Sequence, residues 1–265
     1  MTTGLSEAQP AMIVERHGPV ALLRMNEPRT LNALSGPLKQ GFIEAVPQIT
    51  TDPSVRAIVL TGEGRAFCAG GDIRSMDQRE TVAVRRRMQA THDWVQRLLT
   101  CEKPILTAVN GVAAGAGFSL ALFGDIVCAA EDATFKAGFP GLGAAPDLAI
   151  AYFLPRAVGA TRAKDILLTN EVVPAARGYE TGFVSRLFPA DQLLERTMEL
   201  ATQVANGPTV SLGLTKRLVA RAHELPLEAF LEQEAYAQMT AFGSADFDEG
   251  VKAFREKRKA AFRGL

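Results

Sequence analysis

The chemical options of this 265-residue chain lie in two glycine-rich segments and one aspartate. The segments are IVLTGEGRAFCAGGDI (58–73) and ILTAVNGVAAGAGFSL (105–120), and each runs from an apolar strand candidate into a cluster of Gly and Ala that opens a helix. Small residues just before a helix let a ligand approach exposed backbone N–H groups, and the helix dipole strengthens those groups as donors. Two such turns can converge on one oxygen. Tight turns and close helix packing explain the same composition, and spacing alone leaves both readings open. Nucleotide readings fail, because neither segment ends in the Lys-Ser/Thr of a phosphate loop and Gly115-x-Gly117 lacks the later glycine and acidic residue of a dinucleotide fingerprint. The aspartate, Asp147, follows Pro146 and precedes the apolar run LAIAYFL. Asp at such a position commonly caps a helix.

Apolar patterning shows which elements must hold these segments. Residues 12–26, MIVERHGPVALLRMN, read as two strands around a His-Gly-Pro turn, which makes His17 a turn residue. The spacing predicts a helix over 38–49 stopped by Asp52-Pro53, and continuous apolar runs predict buried parallel strands at 57–60, 105–109 and 126–130. A polar helix is expected from about Ser75 to Leu99, and a small buried helix over 115–122. From Leu148 onward the pattern is nearly all helical apart from 183–187, with amphipathic stretches at 192–204, 210–222 and 227–240. Strand, loop, helix and strand recur, so the fold class is α/β. One domain is expected, with a core over 1–200 and a helical region over 201–265 packed into it.

Composition narrows the partners. Lys+Arg 29 balance Asp+Glu 29, so no global field draws the chain to nucleic acid or an anionic membrane, and an anionic ligand must be met locally. No run approaches the ~20 apolar residues that span a bilayer, and MTTGLSEAQP has neither the basic nor the apolar part of a signal peptide, so a cytoplasmic location is expected. Cys68, Cys101 and Cys128 share no redox or zinc spacing and read as small buried thiols, with no metal site.

Four segments together resemble the enoyl-CoA hydratase/isomerase family, also called crotonases: MNEPRTLNALS (25–35), VLTGEGRAFCAGGDI (59–73), KPILTAVNGVAAGAGFSLALFGDI (103–126) and EGVKAFREKRKAAF (249–262). The resemblance implies a spiral of ββα units with a C-terminal helical trimerisation region, a homotrimer or dimer of trimers, and acyl-CoA thioesters as ligands. It implies an oxyanion hole made by the N–H groups of Gly71 and Ala116, an arrangement worth about 10²–10³ in rate per donor. By the same positions Arg29 and Lys257 are candidates for the CoA phosphates. Phe254 is a candidate for the end of the acyl pocket or a subunit contact, and Ala69, Asp72 and Ile73 for the loop facing adenine and pantetheine. Asp72 also reads as the cap of a following helix. No metal or redox cofactor is implied, and coenzyme A arrives as part of the substrate.

The sequence departs from the family's hydratases, which use two glutamates; their positions hold Ser119 and Phe139 here. Efficient hydration is therefore not expected, and both residues are carried as ligand-facing candidates. The resemblance instead gives Asp147 the role of the single carboxylate of isomerase members, closest to the phenylacetate-pathway type, with Phe118 and Phe139 lining an apolar pocket. A rival within the family uses the same aspartate as a nucleophile on an aryl-CoA with a histidine partner, and His92 falls at that histidine's position. A third alternative is an acyl-CoA binder without chemistry. Trp94 and Arg85-Arg86-Arg87 read as a helix with a solvated face.

Overall fold

The computed structural model describes residues 10–75 and 80–265. Strands β1 (Met12–His17) and β2 (Val20–Met25) pair antiparallel across the expected turn, where Gly18 supplies a φ of 57°. Strands β3 (Ala57–Gly62), β4 (Ala66–Cys68), β5 (Ile105–Val109), β6 (Val112–Ala114), β7 (Ile126–Ala130), β8 (Thr134–Lys136), β9 (Val172–Pro174) and β10 (Arg186–Phe188) complete two sheets. The larger has the order β1-β2-β3-β5-β7-β10 and is parallel beyond its first pair. The smaller has the order β4-β6-β8-β9, with only its last pair antiparallel. Its three-residue strands were not expected from the sequence.

Each unit sends one strand to the large sheet and a short one to the small sheet before a helix forms. The units are β3–β4 with α2 (Thr81–Thr100), β5–β6 with α3 (Ala116–Ala121) and β7–β8 with α4 (Ile150–Val158), preceded by α1 (Gly36–Thr51) after the hairpin. The strands β3 and β5 are buried throughout, which is why they read as apolar runs, with the buried Thr61 and Thr107 among them. Helix α1 starts where Ser35 accepts a hydrogen bond from the Leu38 N–H, and it buries Leu38, Phe42, Ala45, Val46 and Ile49 along one stripe. On α2, Trp94 is buried rather than solvated and stacks on Phe42 with ring centroids 4.4 Å apart. The helix begins at Thr81, six residues later than expected, because the Glu80 carboxylate caps the Val82 and Ala83 N–H groups. Ile73–Ser75 form a separate 3-10 turn, and the part of the expected helix at 76–79 lies outside the described residues.

The remaining helices are α5 (Ala160–Thr169), α6 (Ala175–Thr181), α7 (Leu193–Ala205), α8 (Thr209–Arg221), α9 (Leu227–Phe242) and α10 (Ala245–Glu256). Helix α7 buries Leu193, Thr197, Ala201 and Ala205 against the large sheet, so the division expected at residue 200 falls inside an element of the core. The later helices are tied to the core by polar contacts. Arg56 donates to Thr209 and to the carbonyls of Gly207 and Phe262, and Lys216 pairs with Asp125 at 2.9 Å. Among the described residues no helix is long and apolar enough to cross a membrane.

Candidate active site

The first glycine turn is held in place by the segment that precedes α1. Leu31 accepts the Ala69 N–H at 2.9 Å, Leu34 donates to the Gly70 carbonyl at 2.7 Å, and Leu34 bridges to Gly71. Asn32, buried and left-handed at φ 55°, accepts the Glu27 N–H and donates to the carbonyls of Glu63 and Ala66. At residue 70 only glycine fits: φ is 103°, and a Cβ would sit 2.7 Å from the Ala114 carbonyl oxygen. The same close approach places the second turn beside the first. Gly117 seats α3 on β4 so tightly that a Cβ there would lie 2.0 Å from the Cys68 carbonyl oxygen. Among the described residues neither the Gly71 N–H nor the Ala116 N–H has a protein acceptor. Two adjacent free donors, one of them in the first turn of a helix, suit an oxygen that gains negative charge.

Helix α3 also reaches the aspartate. Ser119 is fully buried, and its Oγ donates to the Asp147 carbonyl oxygen at 2.9 Å. Its hydroxyl is thus engaged with main chain. Asp147 does not cap α4, whose N-cap is Ala149 with no side-chain hydrogen bond. Instead Leu148 and Ala149 take φ of 48° and 60°, two successive left-handed residues, each disfavoured by about 1–2 kcal/mol without glycine. This turn directs the acid inward, where its Oδ1 is buried with no hydrogen-bond partner among the described residues. Burial pushes the Asp147 carboxyl above its ordinary range, while the nearby charges of Lys39 and His92 and its own N–H pull it back.

Lys39, in the first turns of α1, is the site residue that sequence reasoning missed. It is half-buried, and burial, together with Arg87, holds its ammonium below the usual lysine range against the opposing pull of Asp147 and Asp72. A lysine near a helix start carries no pattern that marks it, so only the tertiary structure reveals its place. The structure brings together Gly71, Ala116, Ser119, Asp147, Lys39 and His92, the last an exposed residue of α2.

The other candidates are distributed around this centre. Phe139 is buried at the start of an exposed loop. Phe118 is core rather than pocket lining, packed on Phe135 and Phe183 with centroids 5.1 and 5.3 Å away. Ala69 is half-buried and Ile73 exposed, while Asp72 accepts the Arg74 N–H and binds its guanidinium, which holds the Asp72 carboxyl below the usual range. Arg29 lies on an exposed 3-10 turn and Lys257 at the exposed end of α10. Phe254 is 87% exposed beside Phe242, Phe247 and Phe262 in a groove of the last helices, and nothing places it next to Asp147. All three cysteines are free, and burial pushes the Cys68 thiol up to about 12.

Fold and site together define a known class. The family description Enoyl-CoA hydratase/isomerase matches residues 15–264. The chain is 36% identical to a 1,2-epoxyphenylacetyl-CoA isomerase of Escherichia coli over 252 residues, covering 92% of this chain and 95% of that one. It is 36% identical to 4-chlorobenzoyl coenzyme A dehalogenase-1 of an Arthrobacter species (92% and 90% covered) and 34% identical to a 2,3-dehydroadipyl-CoA hydratase of Escherichia coli (96% and 98%). Among solved structures, an enoyl-CoA hydratase subunit of Geobacillus kaustophilus superposes with a TM-score of 0.91 at 34% identity, covering 96% of this chain and 98% of that one. The chain therefore belongs to the enoyl-CoA hydratase/isomerase family and is a crotonase-type acyl-CoA enzyme.

Proposed function

We propose that the protein moves the double bond of a 3-enoyl-CoA to the 2-position, with Asp147 as the only acid/base. The ionised carboxylate removes a proton from C2, and the electron pair spreads into a dienolate whose oxygen is held by the N–H groups of Gly71 and Ala116. The protonated Asp147 then returns the proton at C4, which leaves the double bond between C2 and C3. One shuttling carboxyl balances the reaction, and the chemistry calls for no metal or redox cofactor; coenzyme A enters with the substrate. The observation that carries this reading is the buried Oδ1 of Asp147, without a hydrogen-bond partner among the described residues, on a residue whose main-chain carbonyl is bonded by Ser119 of the helix that presents Ala116, while Ser119 and Phe139 offer no second acid. A carboxyl raised by burial exchanges protons more readily near neutral pH.

Exposed Arg29 and Lys257, neither in an ion pair among the described residues, suit the CoA phosphates. The exposed phenylalanines of the last helices suit contacts in a homotrimer or dimer of trimers, in the cytoplasm. The test is conversion of 3-hexenoyl-CoA by the wild type and by Asp147→Asn: isomerisation lost in the variant supports the shuttle, and efficient hydration of crotonyl-CoA overturns it. The proximity of His92 to Asp147 supports a second reading, in which the aspartate displaces chloride from an aryl-CoA and water activated by His92 cleaves the ester. Chloride release from 4-chlorobenzoyl-CoA would decide for that one.

A further inference from the structure

Asp147 is gripped at its main chain, while its Oδ1 has no hydrogen-bond partner among the described residues. Its carbonyl oxygen receives the Ser119 hydroxyl at 2.9 Å, shorter than the 3.3 Å contact from the Ile150 N–H that begins the next helix. The two left-handed residues that follow have no side-chain cap to sustain them, and Leu148 is buried. Ser119 stands three residues beyond Ala116 on the six-residue helix α3, and Gly117 locks that helix onto Cys68. A continuous rigid path thus runs from the carbonyl-binding donor to the acid.

We infer that Ser119 is a positioning residue for Asp147: its hydroxyl fixes the backbone of the acid at a set separation from the Ala116 N–H. The inference rests on the reading of Asp147 as the reacting carboxyl. A hydrogen bond to the carboxylate itself would also fix the acid, but it would favour the ionised form and weaken the base. A bond to the main-chain carbonyl holds the residue without that loss. The hydroxyl at this buried position serves as a strut.

The test compares Ser119→Ala and Ser119→Cys, the second a near-isosteric weak donor, in wild-type and Asp147→Asn backgrounds. Ser119→Ala is expected to lower kcat about 10- to 100-fold with KM for the acyl-CoA unchanged, since small misplacements of a reacting group have effects of that order. Ser119→Cys falls between, and Ser119→Ala adds no loss to Asp147→Asn. Amide hydrogen exchange gives a readout independent of turnover: the segment 147–150 should exchange faster in Ser119→Ala while 116–121 and the large sheet keep their protection. Unchanged exchange at 147–150, or an equal loss in both backgrounds, overturns the role of Ser119 whatever the reaction. If the wild type releases chloride instead of isomerising, the isomerase reading fails, yet the same kcat split in chloride release sustains the strut.

Discussion

The two sides of the site are built by opposite means. The side proposed to bind the substrate carbonyl is main chain, enclosed by backbone contacts so close that a methyl group at residue 70 or 117 has no room. The acid side is a single side chain on a loop whose residues 140–146 are exposed and whose turn at 148–149 is left-handed without glycine. Donors that need only a fixed position come from packed backbone, where electrostatic stabilisation requires no reorganisation. The group proposed to gain and lose a proton is placed where burial, charge and strain can be set separately.

Substitutions can break either side, and the acid side should show the largest effect. Asp147→Asn is expected to lower isomerisation by about 10²- to 10⁴-fold while binding of an unreactive saturated acyl-CoA persists, measured by steady-state kinetics and calorimetry. Gly70→Ala should cost about 10²–10³ by displacing the Gly71 donor, and unlike the aspartate change it should also weaken binding of the same ligand. A pH–rate profile sharpens the contrast. Burial has already raised the Asp147 carboxyl, so removing the Lys39 charge in Lys39→Met should raise it further and move the acid limb of kcat/KM to higher pH, whereas Lys39→Arg leaves the limb in place.

The smallest effect expected is on stability. A carboxyl whose folded pKa is raised binds its proton more tightly when native, so stability falls as pH rises through the window between its unfolded and folded values. Asp147→Asn lacks that penalty. It should melt above the wild type at neutral pH, and the difference should close below the ordinary carboxylate range. A variant less stable than the wild type at pH 7 would show that the acid is not held at a cost.

The large sheet was legible because β3, β5 and all of β7 after Ile126 are buried, and their residues are apolar apart from Thr61, Thr107 and the terminal Gly62. The small sheet was not, because its three-residue strands offer no period to detect. Glycine-rich composition marked the two turns, and the family resemblance alone singled out Gly71 and Ala116 within them; neither shows that turns 45 residues apart touch, which the close approach of Gly70 to Ala114 does. On spacing alone Asp147 looked like a helix cap. The left-handed turn at Leu148 and Ala149 moves the cap two residues on and frees the carboxyl, a choice that packing of Leu148 and the Ser119 bond make and local propensity opposes. Lys39 is invisible in the sequence because an α1 lysine looks the same whether it faces water or an acid.

The donors at residues 71 and 116 belong to the peptide backbone, so every codon change there other than to proline still encodes an N–H. The proposed grip on a carbonyl oxygen can thus be inherited apart from the reaction performed on it. A descendant of this chain needs to alter only what the loop around residue 147 and the faces of α1 and α2 deliver to that oxygen's neighbours in order to trade one transformation for another.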